Sequence, residues 1–378
     1  MKFGTKLIHN GNEVDKGTGA LSVPIYQAST YHQEDIDNPP EFDYSRSGNP
    51  TRKALEDTIA KLEGGERGFA FASGMAATSS VLSIFSAGDH IIVCEDVYGG
   101  TYRICNTFFK RFHLDVTFVD ASDLEQIRNS INPRTKAVFL ETPSNPLLKI
   151  TDLKGAIQIA REHDLVTIID NTFMSPYLQR PIELGFDIVI HSATKFIGGH
   201  SDVVAGLVVV KDAELGRKVY SMQNGFGAVL GPQDSWLLLR GVKTLKVRMD
   251  YQQGNAQKLS EWLAGHNRVK QVFYPGLEKH PGRDVHFGQA DGAGAVLSFK
   301  AADENIARHF MKHVKMAAVA VSLGGVETIA SYPVRMSHAA IPKKERERLG
   351  ITDDLIRVSV GLEELEDLFE DFDSALSD

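Results

Sequence analysis

Seven short runs rich in aliphatic and β-branched residues alternate with helix-patterned stretches between residues 68 and 210, and this rhythm restricts the fold more than any other feature of the chain. The runs are GFAFAS (68–73), HIIVCED (90–96), DVTFVD (115–120), AVFLET (137–142), LVTIID (165–170), DIVIHS (187–192) and GLVVV (206–210). Stretches such as LKGAIQIAREH lie between most of them. Strands that alternate with helices build a mostly parallel sheet with helices on its faces. A sheet of that kind takes ligands beyond the carboxyl ends of its strands. The polar residues that follow each run are therefore where chemistry is expected.

Those strand ends read SGMAA (73–77), EDVYGGT (95–101), ETPSNP (141–146), DNTF (170–173) and HSATK (191–195). The glycine pattern of a dinucleotide site does not follow the first strand, and the P-loop pattern is missing. SGMAATSSVLSIF instead opens a helix with a single glycine, where free backbone N–H groups and the helix dipole suit one phosphate. A monophosphate cofactor fits better than a dinucleotide. Pyridoxal phosphate needs a lysine amine, a carboxylate facing its pyridine nitrogen, a phosphate cup and a flat group against its ring. Lys195 can supply the amine, and burial near cationic groups would lower its pKa enough to leave it partly neutral. Asp170, 25 residues earlier, can face the nitrogen. Singly, each residue has a plainer reading: a solvated turn lysine, an Asx-turn aspartate, turn hydroxyls at Ser192 and Thr194. Their joint occurrence favours the cofactor.

Composition removes other classes. With 42% hydrophobic and 24% charged residues the chain is an ordinary globular protein, and 378 residues suggest about two domains. A net charge of -8 without a dense Lys/Arg cluster argues against nucleic acid. Two cysteines, Cys94 and Cys105, make no disulfide framework and suggest a reducing compartment. No apolar leader opens the sequence and no run is long enough for a bilayer, so no membrane association is expected and the cytoplasm is the expected location. Thirteen histidines form no H-E-x-x-H or Cys/His cluster, and no metal is expected.

YSRSGNPTR (44–52), ASGMAA, DVYGGTYR (96–103), ETPSNP, IIDNTF, HSATKFIGGHSDVVAG (191–206), GPQDSWLLLRGVKTL (231–245) and LIRVSVGLE (355–363) resemble, in order and from end to end, the Cys/Met-metabolism family of pyridoxal-phosphate enzymes. That resemblance implies the fold-type I, aminotransferase-like α/β architecture: a mostly parallel central sheet and a smaller α+β C-terminal domain. It places an arm at 1–45 that contacts a neighbouring subunit, a cofactor domain at 46–245 and a C-terminal domain at 246–378. It also implies a homotetramer, a dimer of dimers with shared active sites. Lys195 would then be the Schiff-base lysine and Asp170 the partner of the pyridine nitrogen. Gly74 and Met75 N–H groups with the Ser192 and Thr194 hydroxyls would hold the phosphate. Tyr98 would stack on the ring and Asn145 would bond its phenolic oxygen. Tyr44 and Arg46 would reach the phosphate of the neighbouring subunit. Arg357, aided by Ser322, would grip the substrate α-carboxylate. From the residues themselves, Arg357 in LIRVSV needs a carboxylate partner, for which an internal Asp or Glu is the plainer source.

Within the family, the resemblance is to cystathionine γ-lyase and β-lyase, acting on a small sulfur amino acid. The favoured expectation is γ-elimination of cystathionine to cysteine, 2-oxobutanoate and ammonia, with β-lyase and homocysteine or methionine lyase activity beside it. Lys195 would carry the protons and Tyr98 could assist. Cystathionine β-lyase, cystathionine γ-synthase and methionine γ-lyase remain alternatives. Arg103 follows YGG as in cystathionine γ-lyases. Gly100, however, stands where methionine γ-lyase has cysteine, and Val321, before SLGG, replaces an acidic residue common in the γ-lyases and resembles methionine γ-lyase. The acidic end, LEELEDLFEDFDSAL, spaces Leu362, Leu365, Phe369 and Phe372 as one helix face and reads as structural.

Overall fold

The computed structural model describes residues 1–11, 13–339 and 341–377. All seven runs form strands: β1 Arg67–Phe71, β2 His90–Cys94, β3 Asp115–Val119, β4 Thr135–Glu141, β5 Val166–Asp170, β6 Ile188–Ser192 and β7 Gly206–Val210. They make one sheet in the order β1-β7-β6-β5-β4-β2-β3. The pairs among β2 to β6 are parallel, whereas β7 runs antiparallel to both β6 and β1. The reversal has a local cause. The 193–205 connection contains no helix, so the chain returns beside β6 in the opposite sense. Every residue of β2 and β7 is buried, which explains why those runs are continuously apolar rather than alternating.

Two helices that frame the site start on side-chain caps. In Pro50–Glu63 the Asn49 side chain accepts from the N–H groups of Thr51 and Arg52, Pro50 opens the first turn, and Gly64 closes the helix in the left-handed conformation. In Gly74–Leu82 the Ser73 hydroxyl accepts from Ala76 N–H. A second sheet follows from β8 Val269–Phe273, β9 Val296–Ala301, β10 Ala318–Val319, β11 Ile329–Ser331 and β12 Leu355–Ser359, ordered β10-β11-β12-β9-β8. It is antiparallel except for the short β10–β11 pair. The helix Leu365–Ser377 covers it with Leu365, Leu368, Phe372, Ala375 and Leu376. Leu362 lies before that helix, because the preceding turn is tied to the second sheet through Leu362 N–H to Val326 O and Glu363 to Thr328. Phe369 is half-buried. The buried face therefore begins one turn later than the spacing predicts.

Among the described residues, 13–49 carry only an isolated bridge, Thr30 to Tyr44. Leu21, Ile25, Tyr26 and Ile36 in this stretch are exposed. The carboxyl ends of β4, β5 and β6 meet the β12 side of the second sheet around one cavity, and this is where the site lies.

Candidate active site

The cavity has a volume of about 480 Å³, the size of a small-ligand pocket. All the residues expected in a site line it except Tyr44 and Arg46: Lys195, Asp170, Ser192, Thr194, Gly74, Met75, Tyr98, Asn145, Arg103, Val321, Ser322 and Arg357. Tyr44 and Arg46 are exposed and elsewhere. The Arg46 guanidinium lies 5.5 Å from the Tyr44 ring centroid, and its Nε donates to Asn224 Oδ1 at 3.1 Å.

Lys195 follows β6 on a loop that is clamped from behind. Arg248 Nη1 donates to the Phe196 carbonyl at 2.7 Å. Gly324 fits against the same loop because it lacks a side chain: at φ +80° its Cβ would stand 2.6 Å from Phe196 N and 2.9 Å from Lys195 C. The Lys195 Nζ donates to Ser322 Oγ at 2.5 Å. Burial, reinforced by the Arg357 charge and opposed by Asp170, pushes this amine down to about 8. Ser322 holds φ +86°, a strained conformation for a residue with a Cβ.

Asp170 ends β5. Its Oδ1 accepts from Thr172 N–H at 3.0 Å and Thr172 Oγ1 at 2.5 Å. These bonds fix the carboxyl and leave Oδ2 uncommitted among the described residues. Burial raises its pKa, against the opposing pull of the Thr172 bonds. A cationic partner in the cavity would reverse that shift.

Arg357 lies in β12 and is 3% exposed. Its Nη1 donates to Asn145 Oδ1 at 3.0 Å, and its Nη2 to Ser322 O at 2.6 Å and Ser331 Oγ at 3.1 Å. The internal acid that could have neutralised it is not there: among the described residues no carboxylate lies at ion-pair distance, and Nε has no acceptor. Burial pushes its pKa down to about 10, with the charges of Tyr98 and Glu141 opposing. A buried guanidinium held only by neutral oxygens is a receptor for an anion.

The remaining walls are set by close packing. A Cβ on Gly74 would lie 3.0 Å from Ser192 Cβ and Oγ, so glycine lets the helix start approach the end of β6 without displacing Ser192. The N–H groups of Gly74 and Met75 are in the first turn and have no intrahelical acceptor. Thr194 Oγ1 is bonded to the backbone of Ala205 in both directions, donating to O at 3.2 Å and accepting from N–H at 3.0 Å. The Tyr98 ring sits against Gly100, whose Cβ would be 2.6 Å from Tyr98 Cε1 and 2.7 Å from Met75 Sδ. Glu141 and Phe173 also line the cavity, and the sequence reading gave them no role although both stand at strand ends. Ser331 and Ser337 come from the second sheet and its following loop, where no strand rhythm marked them.

A sequence profile of Cys/Met metabolism PLP-dependent enzymes matches residues 4–377. The chain is 55% identical over 374 residues to cystathionine β-lyase of Bacillus subtilis, covering 99% of this chain and 96% of that protein. It is 50% identical over 376 residues to cystathionine γ-lyase of the same organism, covering 100% and 99%. The crystal structure of cystathionine γ-lyase from Lactobacillus plantarum complexed with L-serine superposes with a TM-score of 0.97 at 49% identity, covering 99% of this chain and 98% of that one. The cavity's donor set fits pyridoxal phosphate. A lysine amine of lowered pKa, a carboxyl with a free oxygen, a glycine-narrowed helix start with unbonded N–H groups, and an aromatic ring face one space.

Proposed function

The chain belongs to the Cys/Met-metabolism family of PLP-dependent enzymes, and from this we propose that it is a carbon–sulfur lyase cleaving cystathionine by γ-elimination to cysteine, 2-oxobutanoate and ammonia. One observation supports the lyase chemistry that γ- and β-elimination share. Ser322 joins the Lys195 amine through its hydroxyl to the Arg357 guanidinium through its carbonyl. An α-carboxylate seated on Arg357 therefore brings the neighbouring α-carbon to the Lys195 amine, as abstraction of the α-proton requires.

Pyridoxal phosphate bound in the cavity supplies the sink for the electrons released at the α-carbon. Lys195 would anchor it and, as a free amine, would carry the protons at Cα and Cβ; its lowered pKa keeps part of the population neutral and able to accept them. Asp170 Oδ2, left uncommitted by the Thr172 bonds, would face the pyridine nitrogen. The N–H groups of Gly74 and Met75 and the Ser192 hydroxyl would hold the phosphate, joined by Thr194 once its hydroxyl proton turns from the Ala205 carbonyl to the phosphate, and Tyr98 would stack on the ring. Asn145 spends Oδ1 on Arg357 and so keeps its amide N–H₂ for the phenolic oxygen. Arg103, at the cavity edge, and Val321 meet the distal part of the substrate. Tyr44 and Arg46, remote from this cavity, complete the phosphate site of a second subunit in a homotetramer with shared sites. The arm at 1–45 makes that contact, ahead of a cofactor domain at 46–245 and a C-terminal domain at 246–378.

A second reading, β-elimination to homocysteine, pyruvate and ammonia, is favoured by the higher identity to the β-lyase relative. Product analysis on cystathionine decides between them: cysteine with 2-oxobutanoate supports γ-elimination, and homocysteine with pyruvate replaces it. Lys195→Ala should lose the visible absorption of the lysine-bound cofactor and several orders of magnitude in turnover. Retention of appreciable lyase activity in that variant would overturn the mechanism.

A further inference from the structure

Glu141 is the last residue of β4, and in the parallel register it lies directly opposite Asp170, the last residue of β5. Paired positions on adjacent strands share a face, so two carboxyl groups stand side by side at the floor of the cavity. Asp170 is held by Thr172. Glu141 is 6% exposed, and its carboxyl group has one hydrogen bond among the described residues: Oε2 accepts the backbone N–H of Tyr98 at 2.9 Å. The Tyr98 side chain makes no hydrogen bond among the described residues. Its placement therefore rests on its backbone and on close packing beside Gly100, where an added Cβ would stand 2.6 Å from Tyr98 Cε1.

The burden on the Glu141 bond is therefore large. Tyr98 immediately precedes the helix Gly99–Ile104, which has no side-chain cap. Loss of the only acceptor for its N–H would free the residue to rotate and carry the ring off its site. Carrying two carboxyls together in a buried place costs stability, through desolvation and like-charge repulsion, so a purely structural role for Glu141 is poorly served by this position.

We propose that Glu141 is a positioning residue of the catalytic site, which fixes the Tyr98 ring over the cofactor by holding the Tyr98 N–H. The inference rests on the reading that Tyr98 stacks on the cofactor ring. Burial, and then the neighbouring Asp170, push the Glu141 carboxyl well above its ordinary range and so favour its neutral form. The carbonyl oxygen of a neutral acid is reproduced by glutamine and by neither leucine nor alanine.

The test compares Glu141→Leu, Glu141→Ala and Glu141→Gln in two readouts: pyridoxal phosphate affinity of the apoprotein by fluorescence titration, and kcat and KM of the loaded enzyme. With the acceptor gone, Leu and Ala should lower kcat about tenfold and weaken cofactor affinity by a similar factor, with KM within about twofold, as expected for one lost buried hydrogen bond. Leucine keeps the bulk should alanine not fold. Glutamine should return both quantities to within about threefold of the parent. The proposal is overturned by Leu and Ala variants that keep both quantities, or by a Gln variant as impaired as they are. Tyr98→Ala, measured in parallel, separates the two readings. If it is silent, the ring contact falls and this proposal with it. If it is impaired while Glu141→Leu is silent, this proposal alone falls.

Discussion

Burial, the Arg357 charge and the opposing Asp170 charge together set the Lys195 amine at about 8 in the cofactor-free chain, against an ordinary 10.5. The sign of the consequence follows from proton counts. Between pH 8 and 10.5 the folded apoprotein binds fewer protons at Lys195 than the unfolded chain does. This lysine therefore opposes folding most strongly below pH 8, and the penalty lifts as pH rises through that window. In the proposed reaction the neutral amine is also the nucleophile. Capture of pyridoxal phosphate by the apoprotein, followed by visible absorbance, should accelerate with pH around a midpoint near 8; a midpoint near 10.5 would mean the amine is not buried as described. Val321 makes a second residue-scale case. It lines the cavity at 63% exposure and offers only apolar contact. A carboxylate there would attract the distal ammonium of cystathionine, which homocysteine lacks. Val321→Glu should raise kcat/KM for cystathionine relative to homocysteine about tenfold, if ~1.4 kcal/mol of a charge-assisted bond is realised. An unmoved ratio would show that residue 321 does not face the distal group.

The closing helix, Leu365–Ser377, holds the second sheet through side chains such as Leu368, which is fully buried. Leu368→Ala should cost about 2–5 kcal/mol, visible as a lower urea midpoint with the same slope; a cost under about 1 kcal/mol would mean that the helix face packs differently. The neighbouring elements show what can be read from sequence. Strands β1 to β7 announce themselves because a buried parallel sheet demands continuous apolar runs at spaced intervals, and the polar ends of those runs led to Asp170, Ser192 and Lys195. Strands β8 to β11 gave no such signal, β10 having two residues and β11 three, whereas β12 showed as the apolar run LIRVSV. Their pairing is set by long-range register rather than by local pattern. Thus Ser331 escaped notice, whereas Arg357 stood out as a charge inside an apolar run. Glu141 was visible as a strand-end acid, but its bond to Tyr98 joins residues 43 positions apart and only the folded chain reveals it.

At the scale of the whole molecule, the stretch 13–49 leaves Leu21, Ile25, Tyr26 and Ile36 uncovered on a single chain and keeps both Tyr44 and Arg46 out of the lining of the chain's own cavity. If those two residues serve a second subunit, cofactor binding and association are linked, because what binds the assembled form stabilises it. Arg46→Ala should weaken cofactor retention and lower the concentration-dependent stability of the oligomer, as read by sedimentation of the loaded and apo proteins. Unchanged affinity and assembly would disprove a shared site. The cavity itself has two owners within one chain. The amine comes from the first sheet's loop and the guanidinium from the second sheet, with Ser322 spanning the gap. If Arg357 seats the α-carboxylate and Lys195 takes the α-proton, the packing of one half on the other becomes a ruler graduated for a single carbon. A β-amino acid, longer by one methylene between carboxylate and amine, would then fall out of step with it, and a mirror-image substrate seated by the same carboxylate would turn its hydrogen toward the wrong wall.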